Sequence, residues 1–155
     1  MKTINHLTFN LYNPAEVSYC DKDAISVIIP STIIDNEKTY KVEYIETDSF
    51  NLCLKLKEVE IPNTIRYIGY NAFCHCISLK TITLPENIDT IRDCAFALCN
   101  NLETIVCLAK TPPLIGDRVF ENISPNAILR VPKESIEAYK SSVLNIYFEN
   151  KIFGI

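Results

Sequence analysis

The residues best equipped for chemistry are seven cysteines, an odd number and a high one for 155 residues. Three of them, Cys53, Cys76 and Cys99, recur at intervals of 23 residues. A thiol can act as nucleophile, metal ligand or disulfide partner, and each use demands particular company. The densest cluster is Cys74-His75-Cys76. Zinc takes four ligands, normally as two separated pairs, and His6 is the only other histidine. A cysteine nucleophile needs a base held by an orienting acid. Cys74 and His75 are neighbours on a turn, where side chains are expected to diverge, and no acid is identifiable. Disulfides cannot use three identical slots evenly, and Cys20, Cys74, Cys94 and Cys107 follow no pairing pattern. The expectation is an internal stack of small buried thiols, each meeting a loop carbonyl. No catalytic, metal or cofactor site is expected.

Other reactive constellations are missing as well. Gly69, Gly116 and Gly154 are the only glycines, so no phosphate-cradling loop can form. Neither H-E-x-x-H nor G-x-S-x-G occurs, and the acids are scattered too singly to suggest a glycosidase pair. Asn122-Ile123-Ser124 is a glycosylation triplet of a kind that chance often supplies. The 15 basic and 19 acidic side chains leave a formal charge of −4. All of that imbalance lies in residues 1–50, with 4 basic against 8 acidic side chains. Without a basic stripe to neutralise phosphates, a nucleic-acid partner is excluded. No apolar run approaches the roughly 18 residues of a membrane span. Met1-Lys2-Thr3-Ile4-Asn5-His6 leads into an alternating pattern rather than a leader peptide, so the chain as read is cytoplasmic.

The elements that must position these residues are repeats. Leu56-Lys57-Glu58-Val59-Glu60-Ile61-Pro62 recurs 23 residues later as Leu79-Lys80-Thr81-Ile82-Thr83-Leu84-Pro85, and again from Leu102. Ile65, Ile68, Ala72, Phe73 and Cys76 recur as Ile88, Ile91, Ala95, Phe96 and Cys99. Upstream, Val27-Ile28-Ile29-Pro30, Ile45, Phe50 and Cys53 form a looser unit of 32 residues, from Ala24 to Leu56. Its nine extra residues centre on Asp35-Asn36-Glu37-Lys38, a polar turn that predicts a protruding β-hairpin. Downstream, Phe120 comes one residue late, and Leu129-Arg130-Val131-Pro132 restarts the pattern. Four to five coils are expected. A period of about 20–29 residues with an L-x-x-L-x-L core marks a leucine-rich repeat.

The combination I-P-x-x-I-x-x-I-x-x-x-A-F-x-x-C-x-x-L resembles the BspA-like class of these repeats, common in gut and oral bacteria and in some protozoa. The resemblance covers essentially the whole chain. Ile4, Leu7, Phe9, Leu11 and Ala15-Glu16-Val17 look like its N-terminal strand cap. Thr111-Pro112-Pro113, Val131-Pro132 and Ser135-Ile136-Glu137-Ala138-Tyr139 look like its C-terminal end. The family usually has glycine after the second isoleucine. Gly69 keeps it, whereas Glu46 and Arg92 stand there in other coils and are expected to turn differently. Larger BspA-like proteins look like adhesins or host-surface binders, which implies secretion or the cell surface as the alternative location.

The expected fold is a β-rich α/β leucine-rich-repeat solenoid with a short parallel sheet on its concave face. It forms one domain over 1–155, with a strand cap at 1–23, repeats at 24–131 and a helical cap at 132–155. A single repeat cannot bury its apolar face, so neighbours stack around a shared core. Leu56, Val59 and Ile61 point inward, Ile65 and Ile68 line the opposite wall, and Asn71–Cys76 has helical spacing, with Asn71, Asp48 and Asp93 near its start as caps. Ile136, Tyr139 and Val143 on a short helix, with Tyr147, Phe148, Ile152 and Phe153, are expected to cover the C-terminal end. The outward positions form a grid of Ser26, Ile28, Glu58, Glu60, Thr81, Thr83, Thr104, Val106, Ile128 and Arg130. That grid is the candidate docking face for a protein partner, on a monomer without cofactor. The alternatives are a structural or self-associating unit with no discrete ligand, and a thiol-dependent enzyme.

Overall fold

The computed structural model describes residues 1–155. Its elements follow the alternation in the sequence. The N-terminal strands are β1 (Lys2–Ile4), β2 (Leu7–Asn10) and β3 (Ala15–Cys20). Next come β4 (Ser26–Ile28), β5 (Thr32–Asp35), β6 (Lys38–Ile45), β7 (Glu58–Glu60), β8 (Tyr67–Ile68) and β9 (Thr81–Leu84). They continue with β10 (Thr90–Ile91), β11 (Thr104–Cys107), β12 (Leu114–Ile115) and β13 (Ile128–Val131). A 3₁₀ turn (Lys133–Ser135), α1 (Ile136–Lys140), α2 (Asn145–Phe148) and β14 (Ile152–Gly154) complete the chain. The result is a solenoid with two walls. In one, β4 pairs with β7, and β9, β11, β13 and β14 form a second parallel run. In the other, β3, β6, β8, β10 and β12 pair in parallel, and the antiparallel β1–β2 hairpin continues that wall at its N-terminal edge. Six strands therefore step along the first of these walls, more than the four to five coils expected.

Between the walls lies one core, and its spine is aromatic. Phe50, Phe73, Phe96 and Phe120 stack with centroids 4.5, 5.2 and 5.4 Å apart and rings within 16° of parallel. Phe148 closes the C-terminal end edge-on at 5.3 Å. At the N-terminal end, Cys20 takes the phenylalanine position. Its amide donates to Ser49, as those of Phe50 and Phe73 donate to Ala72 and Ala95. One of the four cysteines left without a pattern in the sequence is thus the small end of the stack.

The stretch expected to be helical is a pair of left-handed turns. Asp48, Asn71, Cys94 and Arg118 occupy one position with φ of 52–58°, and Leu52, His75, Leu98 and Asn122 another with φ of 55–62°. Such backbone is costly for residues other than glycine. Here it aims amides along the solenoid axis. The amides of Asp48, Asn71 and Cys94 donate to Tyr70, Asp93 and Asp117, and those of Leu52, His75 and Leu98 to Cys74, Ala97 and Glu121. In the first three of these turns the strain is held by bonds to the next coil. An α-helix would have satisfied those amides locally and left the coils unjoined on this side.

Three further expectations are corrected. Gly116 follows Ile115 in the register of Gly69, so two coils keep the family glycine; the one-residue shift before Phe120 had hidden it. Neither glycine is left-handed, nor are Glu46 and Arg92. The glycine serves close approach: a Cβ at Gly69 would lie 2.6 Å from the Thr47 nitrogen and 2.7 Å from the Glu46 carbonyl carbon. At the C-terminus α1 ends at Lys140, so Val143 falls beyond the helix and is exposed, as is Phe153. Tyr139 is fully buried, its hydroxyl donating to the Ala109 carbonyl at 2.8 Å. The hairpin forms as expected: β5 and β6 pair with Asp35 opposite Lys38, and Asn36 and Glu37 take φ of 47° and 63°, the two left-handed residues of a type I′ turn.

Candidate functional site

Side chains alternate across a strand, so inward Val27, Ile82, Ile105 and Leu129 oblige their neighbours to face solvent. All ten candidate residues do so. Ser26, Ile28, Glu58, Glu60, Thr81, Thr83 and Arg130 are exposed, and Thr104, Val106 and Ile128 are half-buried. Parallel register places them in two columns. Ser26 stands beside Glu58 and Ile28 beside Glu60. Thr81, Thr104 and Ile128 follow in one column, and Thr83, Val106 and Arg130 in the other. No ion pair within the protein occupies Glu58, Glu60 or Arg130.

The sheet is not the continuous one expected. No pairing joins β7 to β9. Thr104 and Glu103 donate to the Lys80 carbonyl, yet Thr81 makes no such bond to Lys57. Val59, expected inward and buried, is half-buried at this seam. The opposite wall holds the two pieces together, since β6, β8 and β10 pair without a break. Over the seam lies a groove of about 730 Å³ lined by Lys57, Glu58, Val59, Lys80, Thr81 and Thr83, among others. Lys57 and Lys80 were not among the sequence candidates because they precede the strands. Their identical place in successive repeats was the signal.

The thiols are packed as the repeat implies. The Cys76 thiol donates to the Phe50 carbonyl at 3.2 Å and that of Cys99 to Phe73 at 3.1 Å, while Cys53 reaches toward the Cys20 carbonyl at 3.9 Å. A hydrogen bond with Cys99, then burial, pushes the Cys76 thiol up. The Cys20 thiol is raised by its bond with Cys53, which is itself lowered by that bond and by the Lys22 ammonium 3.9 Å away. Cys74 and His75 do not diverge: Sγ lies 3.4 Å from Nδ1, because the left-handed His75 backbone turns its ring back. Burial still pushes the Cys74 thiol up, the direction opposite to that of a nucleophile. No cluster of three or more His, Cys, Asp or Glu side chains has metal-binding geometry. Elsewhere, Glu16 hydrogen-bonds Glu46 and, with burial, pushes it up to about 7. The Asn10 amide donates to Glu16 at 2.9 Å, and the Glu46 backbone amide donates to the Val17 carbonyl, which ties the end of β6 to β3.

All seven cysteines are free. Alkylating the native protein without reductant should leave Cys53, Cys76 and Cys99 unmodified until it is unfolded. Cys74 and Cys94, at 8% and 9% exposure, should react first. Peptide mass spectrometry reads the order, and a bridge between any two of the three stacked thiols would overturn it.

No helix is long and apolar enough to cross a membrane. Residues 18–151 match the BspA type leucine rich repeat region in six copies. In backbone, the chain is similar to a leucine-rich-repeat protein of Bacteroides capillosus, with a TM-score of 0.69, 24% identity, and coverage of 84% of this chain and 96% of that one. It is also similar to one of Bacteroides ovatus, with a TM-score of 0.70, 23% identity, and coverage of 99% of this chain and 41% of that one. A T. pallidum leucine-rich-repeat protein gives a TM-score of 0.66 at 19% identity, covering 99% of this chain and 81% of that one. No curated protein matches by sequence. At these identities the structural likeness speaks for the fold, and the six matched copies speak for descent: the chain belongs to the BspA-type leucine-rich-repeat family.

Proposed function

We propose that the protein is a non-catalytic binding module that docks a protein partner on its strand face, centred on the groove between β7 and β9. The groove carries the reading. It joins the only break in the strand ladder to the centre of the outward grid, where Glu58 and Thr81 face each other across the seam. Backbone freed from the ladder there adds hydrogen-bonding capacity to two lysines, a glutamate and two threonines. Half-buried Val106 and Ile128 supply apolar surface on the adjoining strands. Rigid strands hold these groups in fixed order, which limits the ordering entropy a partner must overcome. Central positions of a docking face are also where binding energy concentrates.

The double variant Glu58→Lys with Thr81→Lys should abolish binding of a partner captured by the wild type. Its stability should change by no more than about 0.5 kcal/mol, because both side chains are exposed. The control is Arg92→Glu, exposed beyond the opposite wall. Asp89, also exposed there, is a poorer choice because Arg66 Nε donates to it at 2.8 Å. Surface plasmon resonance reads the difference; normal binding by the double variant with loss in the control would move the docking face elsewhere, with the β5–β6 hairpin first in line.

A further inference from the structure

We infer that Cys20 and Cys53 are a redox pair, two thiols placed to close into a disulfide when hydrogen peroxide reaches them. The inference adds a modification site and does not depend on the strand face docking a partner.

The two cysteines come from unlike positions of the repeat. Cys20 fills the phenylalanine slot at the N-terminal end of the stack, and Cys53 the cysteine slot of the next coil. Their sulfurs converge on one backbone atom: the Asp21 carbonyl oxygen lies 3.5 Å from Cys20 Sγ and 4.0 Å from Cys53 Sγ. A hydrogen bond joins the thiols directly, and both residues are fully buried. Cys76 and Cys99 are placed differently. They fill equivalent slots of successive coils, so their Cα–Cβ bonds run parallel at about the 4.8 Å of neighbouring strands. A disulfide draws its Cβ atoms to about 3.8 Å. Each of these thiols also donates to a carbonyl, Phe50 at 3.2 Å and Phe73 at 3.1 Å. The Cys53 thiol has no such close acceptor, since the Cys20 carbonyl is 3.9 Å away.

A cation completes the site. Lys22 Nζ lies 3.9 Å from Cys53 Sγ and is fixed there by donating to the Asn51 carbonyl. The lysine is half-exposed, so the Cys53 sulfur lies one flexible side chain below the surface. That cover excludes an alkylating reagent and admits a molecule little larger than water. The Cys20 bond, then the Lys22 charge, favours the Cys53 thiolate, while Cys20 keeps its proton. Cys74 is more exposed, but its neighbour is His75 rather than an ammonium, and burial raises its thiol.

Cys53 is therefore the attacking sulfur. An S–O bond forms to one peroxide oxygen as the O–O bond breaks, giving a sulfenic acid, and the Cys53 proton leaves in the first water. The Cys20 sulfur then attacks Cys53, the S–O bond breaks, and the Cys20 proton leaves in a second water. The two thiols lose two electrons, and the peroxide is reduced to water. The bridge closes a loop over the long coil, with β4 and the β5–β6 hairpin inside it, and ties the cap to the repeats. Such a constraint acts on the unfolded chain and stabilises the folded one.

The test is titration of the full chain with hydrogen peroxide, then blocking of free thiols in denaturant and peptide mass spectrometry without reductant. At the lowest dose that consumes thiols, the first cross-linked peptides should carry Cys20 and Cys53, and dithiothreitol should separate them. The melting temperature should rise on oxidation and return on reduction. Cys20→Ala and Cys53→Ala should each lose both the cross-link and the rise. Lys22→Met, which keeps the stem and removes the charge, should form the bridge several-fold more slowly. Peptide mapping of the wild type decides the pairing even where a variant fails to fold. A first cross-link between Cys74 and Cys94, or between two of the stacked thiols, overturns the inference. So do a Cys53 that stays a free thiol while others oxidise and an unchanged rate in Lys22→Met.

Discussion

Phe73→Ala and Phe96→Ala are each expected to lower the unfolding free energy by about 3–5 kcal/mol in a denaturant titration, the usual range for deleting a buried ring. Both rings are fully buried. Each lies between two others in near-parallel contact, Phe73 between Phe50 and Phe96, and Phe96 between Phe73 and Phe120. Removing either opens a void shared by three coils. The surroundings cannot collapse to fill it, because backbone bonds along the β6–β8–β10 wall and between successive turns fix the spacing of the coils. Solenoid stability is close to a sum of coil and neighbour-interface contributions, so one missing ring weakens two interfaces. The rings touch, so the double variant should depart from the sum of the singles. A loss under about 1 kcal/mol for either would mean that the rings do not share one stack.

Gly69→Ala should destabilise by about 3 kcal/mol, the upper part of the range for overpacking, because the obstacle is backbone. A Cβ there would sit 2.6 Å from the Thr47 nitrogen and 2.7 Å from the Glu46 carbonyl carbon. Thr47 and Glu46 cannot swing aside as a side chain would: Gly69 donates to the Ile45 carbonyl and Glu46 to that of Val17. Arg92→Ala, at the same register one coil on, should change stability by no more than about 0.5 kcal/mol, since that exposed position already holds a Cβ. Thermal and denaturant melts of the two variants give the comparison. Equal effects would mean that close approach between coils is not what keeps glycine at position 69.

Much of the fold was legible because a solenoid makes spatial neighbours of residues at a fixed sequence offset. The 23-residue recurrence therefore encodes contact directly: Phe73 meets Phe96, and Cys76 lies against Cys99, for the same reason that they align. Period-two alternation fixes which side of a strand faces solvent, so the outward placement of Ser26, Glu58, Thr81 and Arg130 could be read without coordinates. The polar turn at Asn36-Glu37 announced its hairpin through local chemistry alone.

What only the tertiary structure decided depends on distances between coils, which no offset encodes. The seam between β7 and β9 separates strands with unbroken repeat spacing, so the groove at the candidate site is invisible in the sequence. Cys20 and Gly116 stand in repeat positions that an insertion or a one-residue shift had moved out of alignment. Glu16 and Glu46 meet because β3 stacks on β6 across the long coil. His75 folds back on Cys74 because the turn is left-handed. At Asp48, Leu52, Asn71, His75, Cys94 and Leu98 that conformation is supported by amide bonds to the next coil, an energy that local sequence cannot display and that exists only once the coils are stacked.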